Sequence, residues 1–279
     1  MEFEKKLEKK AVDTGRGEIV YFAISDFPGR PTVVFLHGLS SNHTTWLNIM
    51  RILHEKGYNS LALDLRGHGF SDKTKKRSLY KLSVFTDDLK FILDKENIKK
   101  VVLVGYSFGG PIALDYTIKC SGRVAGLILI SANHTNPLEY RKIKLLTPLA
   151  YGFLQMLSFL LLWQKRKRYY YYKQGESRGY WDSVWMGLNT MPLSVNFWML
   201  SEMGRMDLRK AISQIEVPTL IIRGKNDPFV SKAEADDMSR AISKSEIITF
   251  QNPSHFIGSR SQDELSEVIF QFLEKIYCR

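Results

Sequence analysis

Three residues in this sequence have the types and the placement for nucleophilic catalysis: Ser107, Asp227 and His255. Ser107 lies in Gly105-Tyr106-Ser107-Phe108-Gly109, directly after the aliphatic run Val101–Val104 and before the helical stretch Pro111–Lys119. A chain that turns sharply from strand to helix needs small flanking residues. The turn lifts the serine hydroxyl above the sheet, at a helix N-terminus that favours developing negative charge. The pentapeptide alone is a weak signal, because a plain Gly-Ser turn would read the same; its position between strand and helix gives it weight. A serine hydroxyl is a poor nucleophile until a base takes its proton and an acid orients that base. Asp227 follows the run Thr219–Ile222 in Arg223-Gly-Lys-Asn-Asp-Pro228, and His255 follows the last aliphatic run in Asn252-Pro-Ser-His-Phe256. The bland alternatives are an Asp-Pro turn and an ordinary loop histidine.

Positioning these groups requires a particular scaffold. The runs Val33–Leu36, Ser60–Asp64, Val101–Val104, Gly126–Ile130, Thr219–Ile222 and Glu246–Phe250 are short, apolar on both faces and closed by turn residues, so they predict buried strands. Helical lengths at Trp46–Lys56, Val84–Lys95 and Pro111–Lys119 separate several of them, which predicts a doubly wound, mostly parallel α/β sheet. In such a sheet the loops after the strands share one edge, so Ser107, Asp227 and His255 converge there. Ile19–Ile24 adds an earlier, more exposed strand, entered through the turn Thr14-Gly-Arg-Gly17. Between Ile130 and Thr219 no strand signal appears, yet the segment is rich in Leu, Tyr, Trp and Met, which is not the composition of a disordered loop. The expected organisation is a core of residues 1–132 and 210–279 with a helical cap, 133–209, inserted on the sheet's C-terminal edge.

These features together resemble the α/β-hydrolase superfamily, over nearly the whole chain outside the insertion. The likeness extends to His37-Gly38-Leu39-Ser40 after the second predicted strand and to Asp64-Leu-Arg-Gly-His-Gly-Phe-Ser-Asp72 after the third. It implies an oxyanion hole formed by the backbone amides of Leu39 and of Phe108, the residue after the nucleophile. It also implies that Asp64 and His68 belong to a structural loop pinned by Arg66 and Asp72, and that His37 is structural. The family's other acid position would follow Ile130, but Ser131-Ala-Asn-His134 offers no carboxylate promptly, which favours Asp227. Relatives that open epoxides or displace halides carry Asp where this chain has Ser107. A serine there implies an acyl-enzyme, and hence esters, thioesters, amides or activated C–C bonds.

Composition narrows the classes further. The 279 residues are 44% hydrophobic and 25% charged, which describes a folded globular protein rather than a disordered or disulfide-stapled one. Cys120 and Cys278 lie far apart in sequence, no signal peptide is read at the start, and a reducing, cytoplasmic setting is expected. No metal-ligand spacing, P-loop or dinucleotide fingerprint is present, so no metal or cofactor is expected.

The net charge of +11 is concentrated. Between Arg141 and Arg178 lie nine basic residues and one acid, Glu176, which accounts for +8 of that excess. The same region holds Leu145–Gln164 without a charge, flanked by Arg141, Lys142 and Lys144 before it and Lys165–Arg168 after it. A membrane span is disfavoured, because Pro148, Gly152, Gln155 and Ser158 dilute the run and a span would split the fold. Two readings stand: a buried cap helix over the site, and a cap that makes peripheral contact with anionic lipid. Tyr169–Tyr172 beside Lys165–Arg168 reads as a solvated cap face rather than a nucleic-acid platform, and no nucleic-acid partner is expected. Trp181, Trp185, Phe197 and Trp198 are expected in the cap core or the pocket. The expected function is hydrolysis of small carboxylic esters with an apolar acyl or alcohol part. Monoacylglycerol lipase, thioesterase, C–C bond hydrolase and a ligand-binding member without turnover remain open.

Overall fold

The structure is a computed structural model that describes residues 3–137, 144–161, 190–251, 255 and 262–277. Eight strands form one sheet: β1 Glu8–Asp13, β2 Glu18–Ile24, β3 Thr32–Leu36, β4 Asn59–Asp64, β5 Val101–Tyr106, β6 Val124–Ile130, β7 Thr219–Gly224 and β8 Ser245–Phe250. Their order is β1-β2-β4-β3-β5-β6-β7-β8, with β2 antiparallel to both β1 and β4 and the remaining pairs parallel.

The side-chain period of two divides each central strand between the two layers. Val34, Leu36, Leu103, Leu127 and Leu129 join one apolar cluster, while Val33, Phe35, Val102, Val104, Ile128 and Ile130 join the other. The first cluster is closed by α2 (Leu82–Lys95), α3 (Gly109–Lys119) and the later α6 (Lys232–Ala241), through residues such as Leu89, Ile112 and Met238. The second is closed by α1 (Leu47–Glu55) and the terminal α7 (Gln262–Tyr277), through Ile49, Leu53, Ile269 and Phe272. With both faces covered, near-continuous apolar strands are the expected solution.

Three details depart from the sequence reading. β1 had no forecast, because Glu8, Lys9, Lys10 and Asp13 interrupt its apolar positions; it is an edge strand, paired to β2 from Glu8↔Ala23 to Asp13↔Glu18. β2 is more buried than expected: every residue from Ile19 to Ile24 is buried, because β1 and β4 flank it in the sheet and its side chains enter the apolar clusters on both faces. β8 is less buried than expected, since it forms the opposite edge and only Phe250 is fully buried.

Between β6 and β7 the described elements are α4 (Thr147–Leu160) and α5 (Leu193–Met203), which pack on each other. Thr135 bridges Asp207, and the Leu208 amide donates to the His134 carbonyl at 2.9 Å, so the two ends of the 133–209 segment meet. Trp198 is buried and its ring lies 5.8 Å from that of Tyr80. Trp181, Trp185, Lys165–Arg168 and Tyr169–Tyr172 lie outside the described residues, as does Cys278; Cys120 is a free thiol. Among the described residues no helix is long and apolar enough to cross a membrane.

Candidate active site

The parallel strands all end on one sheet edge, and the chemistry-bearing loops leave from there. β5 delivers Ser107. Its backbone sits at φ 49°, in the left-handed region that β-carbon sterics disfavour, so the surrounding structure must hold it. The Ser107 amide donates to the Ile130 carbonyl at 2.9 Å, and the Ser107 carbonyl accepts from the Gly110 amide at 2.9 Å. The flanking glycines are a steric requirement. A β-carbon on Gly105 would lie 2.6 Å from the Gly109 carbonyl oxygen, and one on Gly109 would strike the Leu36 carbonyl of β3. A sharp strand-to-helix turn is thus compatible only with the smallest residue on each side.

β7 delivers Asp227 and β8 delivers His255. The His255 Nε2 lies 2.9 Å from the Ser107 Oγ, and its Nδ1 lies 3.1 Å from each Asp227 carboxylate oxygen. The Asp227 Oδ1 also accepts from the Phe229 and Val230 amides at 2.7 and 3.1 Å. Burial alone would raise the Asp227 carboxyl, but the hydrogen bond and charge of His255, with the Phe229 amide, outweigh it and hold it below its ordinary value. An ionised Asp227 fixes the proton on Nδ1 and leaves Nε2 as an acceptor facing the serine hydroxyl.

Sequence reasoning missed what holds His255. The Tyr106 hydroxyl donates to the His255 carbonyl at 3.0 Å, and the Phe229 ring packs edge-on against the imidazole with centroids 4.8 Å apart. Tyr106 precedes Ser107 and Phe229 lies two residues after Asp227, but nothing in their spacing foretold the contact.

The loop after β3 carries Leu39 past Ser107: a β-carbon on Gly38 would lie 3.3 Å from the Ser107 Cβ. Two buried histidines brace this loop. The His37 Nε2 accepts from the Leu65 amide at 3.0 Å while its Nδ1 donates to the Gly38 carbonyl at 2.8 Å. The His68 Nε2 accepts from the Ser40 amide at 3.0 Å while its Nδ1 donates to the Arg66 carbonyl at 3.0 Å. Burial pushes the His37 ring down to about 4, against the pull of Asp64, and pushes His68 well below its ordinary value. Both rings are therefore neutral, which this donor–acceptor pattern requires. Phe108 is buried at the N-cap of α3, and neither its amide nor that of Leu39 donates to another described group.

Asp64 and His68 form no pair. Asp64 instead binds the His43 ring at 2.9 Å and accepts from the His43 and Phe70 amides, both at 2.8 Å. Arg66 is buried and donates to both oxygens of Asp88, at 2.9 and 3.0 Å, and to the Arg16 carbonyl, while Asp72 accepts from the Glu18 amide at 2.8 Å.

The doubly wound sheet that carries these residues, and the sequence that forms it, have parallels among known proteins. The family model for the alpha/beta hydrolase fold matches residues 31–259. This chain belongs to the α/β-hydrolase family. Among curated relatives, the AB hydrolase superfamily protein YisY of Bacillus subtilis (strain 168) is 28% identical, across 88% of this chain and 91% of its own. Human epoxide hydrolase 4 is 27% identical, across 88% of this chain and 73% of its own. Among solved structures, an esterase from Exiguobacterium antarcticum superposes with a TM-score of 0.71 at 21% identity, covering 92% of this chain and 96% of that one. As a family member the chain is a hydrolase by fold and kinship, with relatives of differing chemistry.

Proposed function

We propose that this α/β-hydrolase is a serine hydrolase of carboxylic esters with an apolar acyl or alcohol part, working through an acyl-enzyme, with the 133–209 segment as its cap. The observation that carries the reading is the continuous hydrogen-bond chain from Asp227 through His255 to Ser107. His255 Nε2 takes the hydroxyl proton as Ser107 Oγ adds to the ester carbonyl carbon. The charge that develops on the carbonyl oxygen is received by the Leu39 and Phe108 amides, which have no other described acceptor. Asp227 stabilises the imidazolium without taking its proton. His255 then protonates the departing alkoxide, and the alcohol leaves. Water, deprotonated by the same Nε2, adds to the acyl-enzyme and releases the carboxylic acid with Ser107 restored.

Support for an apolar substrate comes from Phe229, whose ring lies against His255 while 38% of its surface remains exposed. The test is turnover of aryl esters graded in acyl length, beside Ser107→Ala and labelling by a fluorophosphonate. Wild type is expected to label at Ser107 and to turn over short to medium acyl chains, and Ser107→Ala to do neither. Full ester turnover by Ser107→Ala would overturn the mechanism, and labelling without turnover of any ester would overturn the assignment as an esterase.

A further inference from the structure

Helix α4 has its polarity reversed relative to a helix at the surface of a protein in water. Such helices ordinarily turn an apolar stripe to the core and polar groups to solvent. On α4 the polar groups lie on the inward side, beside the half-buried Leu154 and Leu157. The Tyr151 hydroxyl donates to the Asn136 side-chain oxygen at 3.2 Å, and its ring lies over Gly204. The Gln155 amide meets the Ser201 hydroxyl of α5 at 2.8 Å and, with its oxygen turned toward the donors, the Arg205 guanidinium at 2.7 Å. Ser158 is buried. The outward side is apolar throughout: Leu149 is 73% exposed, Phe153 55%, Met156 52%, Phe159 72% and Leu160 57%. These positions repeat at intervals of three and four, so they form one stripe along the helix.

Contiguous apolar surface of this kind marks a binding face. Charge identifies what binds. From Arg141 to Gln174 the sequence holds eight cations and no carboxylate, with Arg141, Lys142 and Lys144 just before the helix and Lys165–Arg168 soon after it. A second copy of this chain would set that acid-free stretch against itself. A lipid surface bearing anionic headgroups instead accepts the stripe among its acyl chains and the cations at its headgroups, the pattern of helices that lie in an interface. The described part of the helix, Thr147–Leu160, has the length of an interfacial segment rather than of a span.

We propose that α4 is a docking surface for anionic lipid bilayers, with its Leu149–Phe153–Met156–Phe159 stripe inserted and the positive charge of the sequence on either side of the helix selecting anionic headgroups. This goes beyond the esterase reading and is independent of whether Ser107 turns over any ester.

Flotation of the full chain with vesicles tests it, using phosphatidylcholine alone and phosphatidylcholine mixed with phosphatidylglycerol. Binding is expected on the mixed vesicles and to weaken as salt is raised, because surface charge is screened within about 10 Å at 0.1 M. The variant L149S/F153S/F159S alters only outward side chains. It is expected to keep the thermal midpoint and soluble-ester turnover of the wild type, and to lose more than about tenfold in vesicle partitioning. Replacing Lys165–Arg168 with Gln is expected to cost about fivefold for each cation that reaches the surface, on mixed vesicles only. Absence of binding at low ionic strength, equal binding to both vesicles, or unchanged binding by the triple variant would each overturn the proposal. So would a concentration-dependent dimer that the triple variant dissolves, since a second copy would then cover the stripe. Ser107→Ala is expected to bind vesicles fully, which separates docking from catalysis.

Discussion

The Asn196 side-chain amide on α5 donates to the Ser40 hydroxyl at 2.7 Å, joining the segment between β6 and β7 to the loop that carries Leu39. Ser40 is held from several sides. Its amide donates to His68, its hydroxyl donates to the Met191 sulfur at 3.4 Å, and its carbonyl accepts from Thr190 at 3.3 Å. Its backbone sits at φ 62°, a conformation that a serine adopts only when its neighbours impose it. The insertion thus reaches the residue next to the proposed oxyanion donor.

That contact sets the first expectation. A single hydrogen bond of this kind contributes about 0.5–1.5 kcal/mol, or roughly two- to tenfold in an equilibrium or a rate. Asn196→Ala should lower kcat on a small aryl ester by about that factor, with KM nearly unchanged, because the small substrate has no need of the cap for binding. Steady-state kinetics beside a thermal melt decide it: a lower melting temperature with unchanged kcat would make the contact merely structural.

Asp227→Asn should be far more damaging. The Asn oxygen can still accept from the Phe229 and Val230 amides, which leaves the amide nitrogen facing the His255 Nδ1. A donor there favours the tautomer with its proton on Nε2, and that atom can no longer accept from Ser107. The expected loss in kcat is about 10⁴-fold, with the fold intact by circular dichroism. Loss of less than tenfold would remove Asp227 from the mechanism.

Legibility followed the kind of interaction. The central strands were readable because burial on both faces leaves an unbroken apolar run, and Ser107 was readable because its turn demands glycine at 105 and 109. β1 was not, since an edge strand carries Glu8, Lys9 and Lys10 outward and takes its order from pairing with β2 rather than from its own composition. The structural role of Asp64 was readable, but its partner was not. Spacing set His68 beside it in sequence, while the fold turns His68 to Ser40 and brings His43 from 21 residues away. Tyr106, Asn196 and Phe229 support the site through contacts between distant segments, which no local pattern records.

The buried histidines give the protein a measurable acid sensitivity. His37 is held neutral with its ring pushed down to about 4, while the unfolded chain binds a proton there near 6.5. Below the unfolded value the unfolded state gains a proton that the folded state refuses, so stability falls as pH drops from about 7 toward 4 and levels off below that. The loss attributable to His37 is about 2 kcal/mol between pH 7 and pH 5. Urea unfolding of wild type and His37→Gln at both pH values reads it: the variant should begin less stable at pH 7 yet show a shallower decline. Parallel declines would mean that His37 titrates alike in both states.

Arg66 supplies the last expectation, because it ties β1 and β2 to the loop after β4. Its guanidinium is buried and holds Asp88 on α2 through two hydrogen bonds, the Thr14 hydroxyl at 3.1 Å and the Arg16 carbonyl. Removing one partner of a buried ion pair ordinarily destabilises by about 3–5 kcal/mol, and here it would leave Asp88 with only the partly exposed Arg16 guanidinium at 3.4 Å. Arg66→Ala should therefore lose that much in urea unfolding. The double variant Arg66→Met with Asp88→Leu should recover a large part of it, since no charge is then stranded in the core. A loss below about 1 kcal/mol for the single variant would show that Arg16 or water compensates Asp88 and that the loop is secured by Asp72 and Ser71 instead, whose bonds to the Glu18 and Val20 amides are both 2.8 Å.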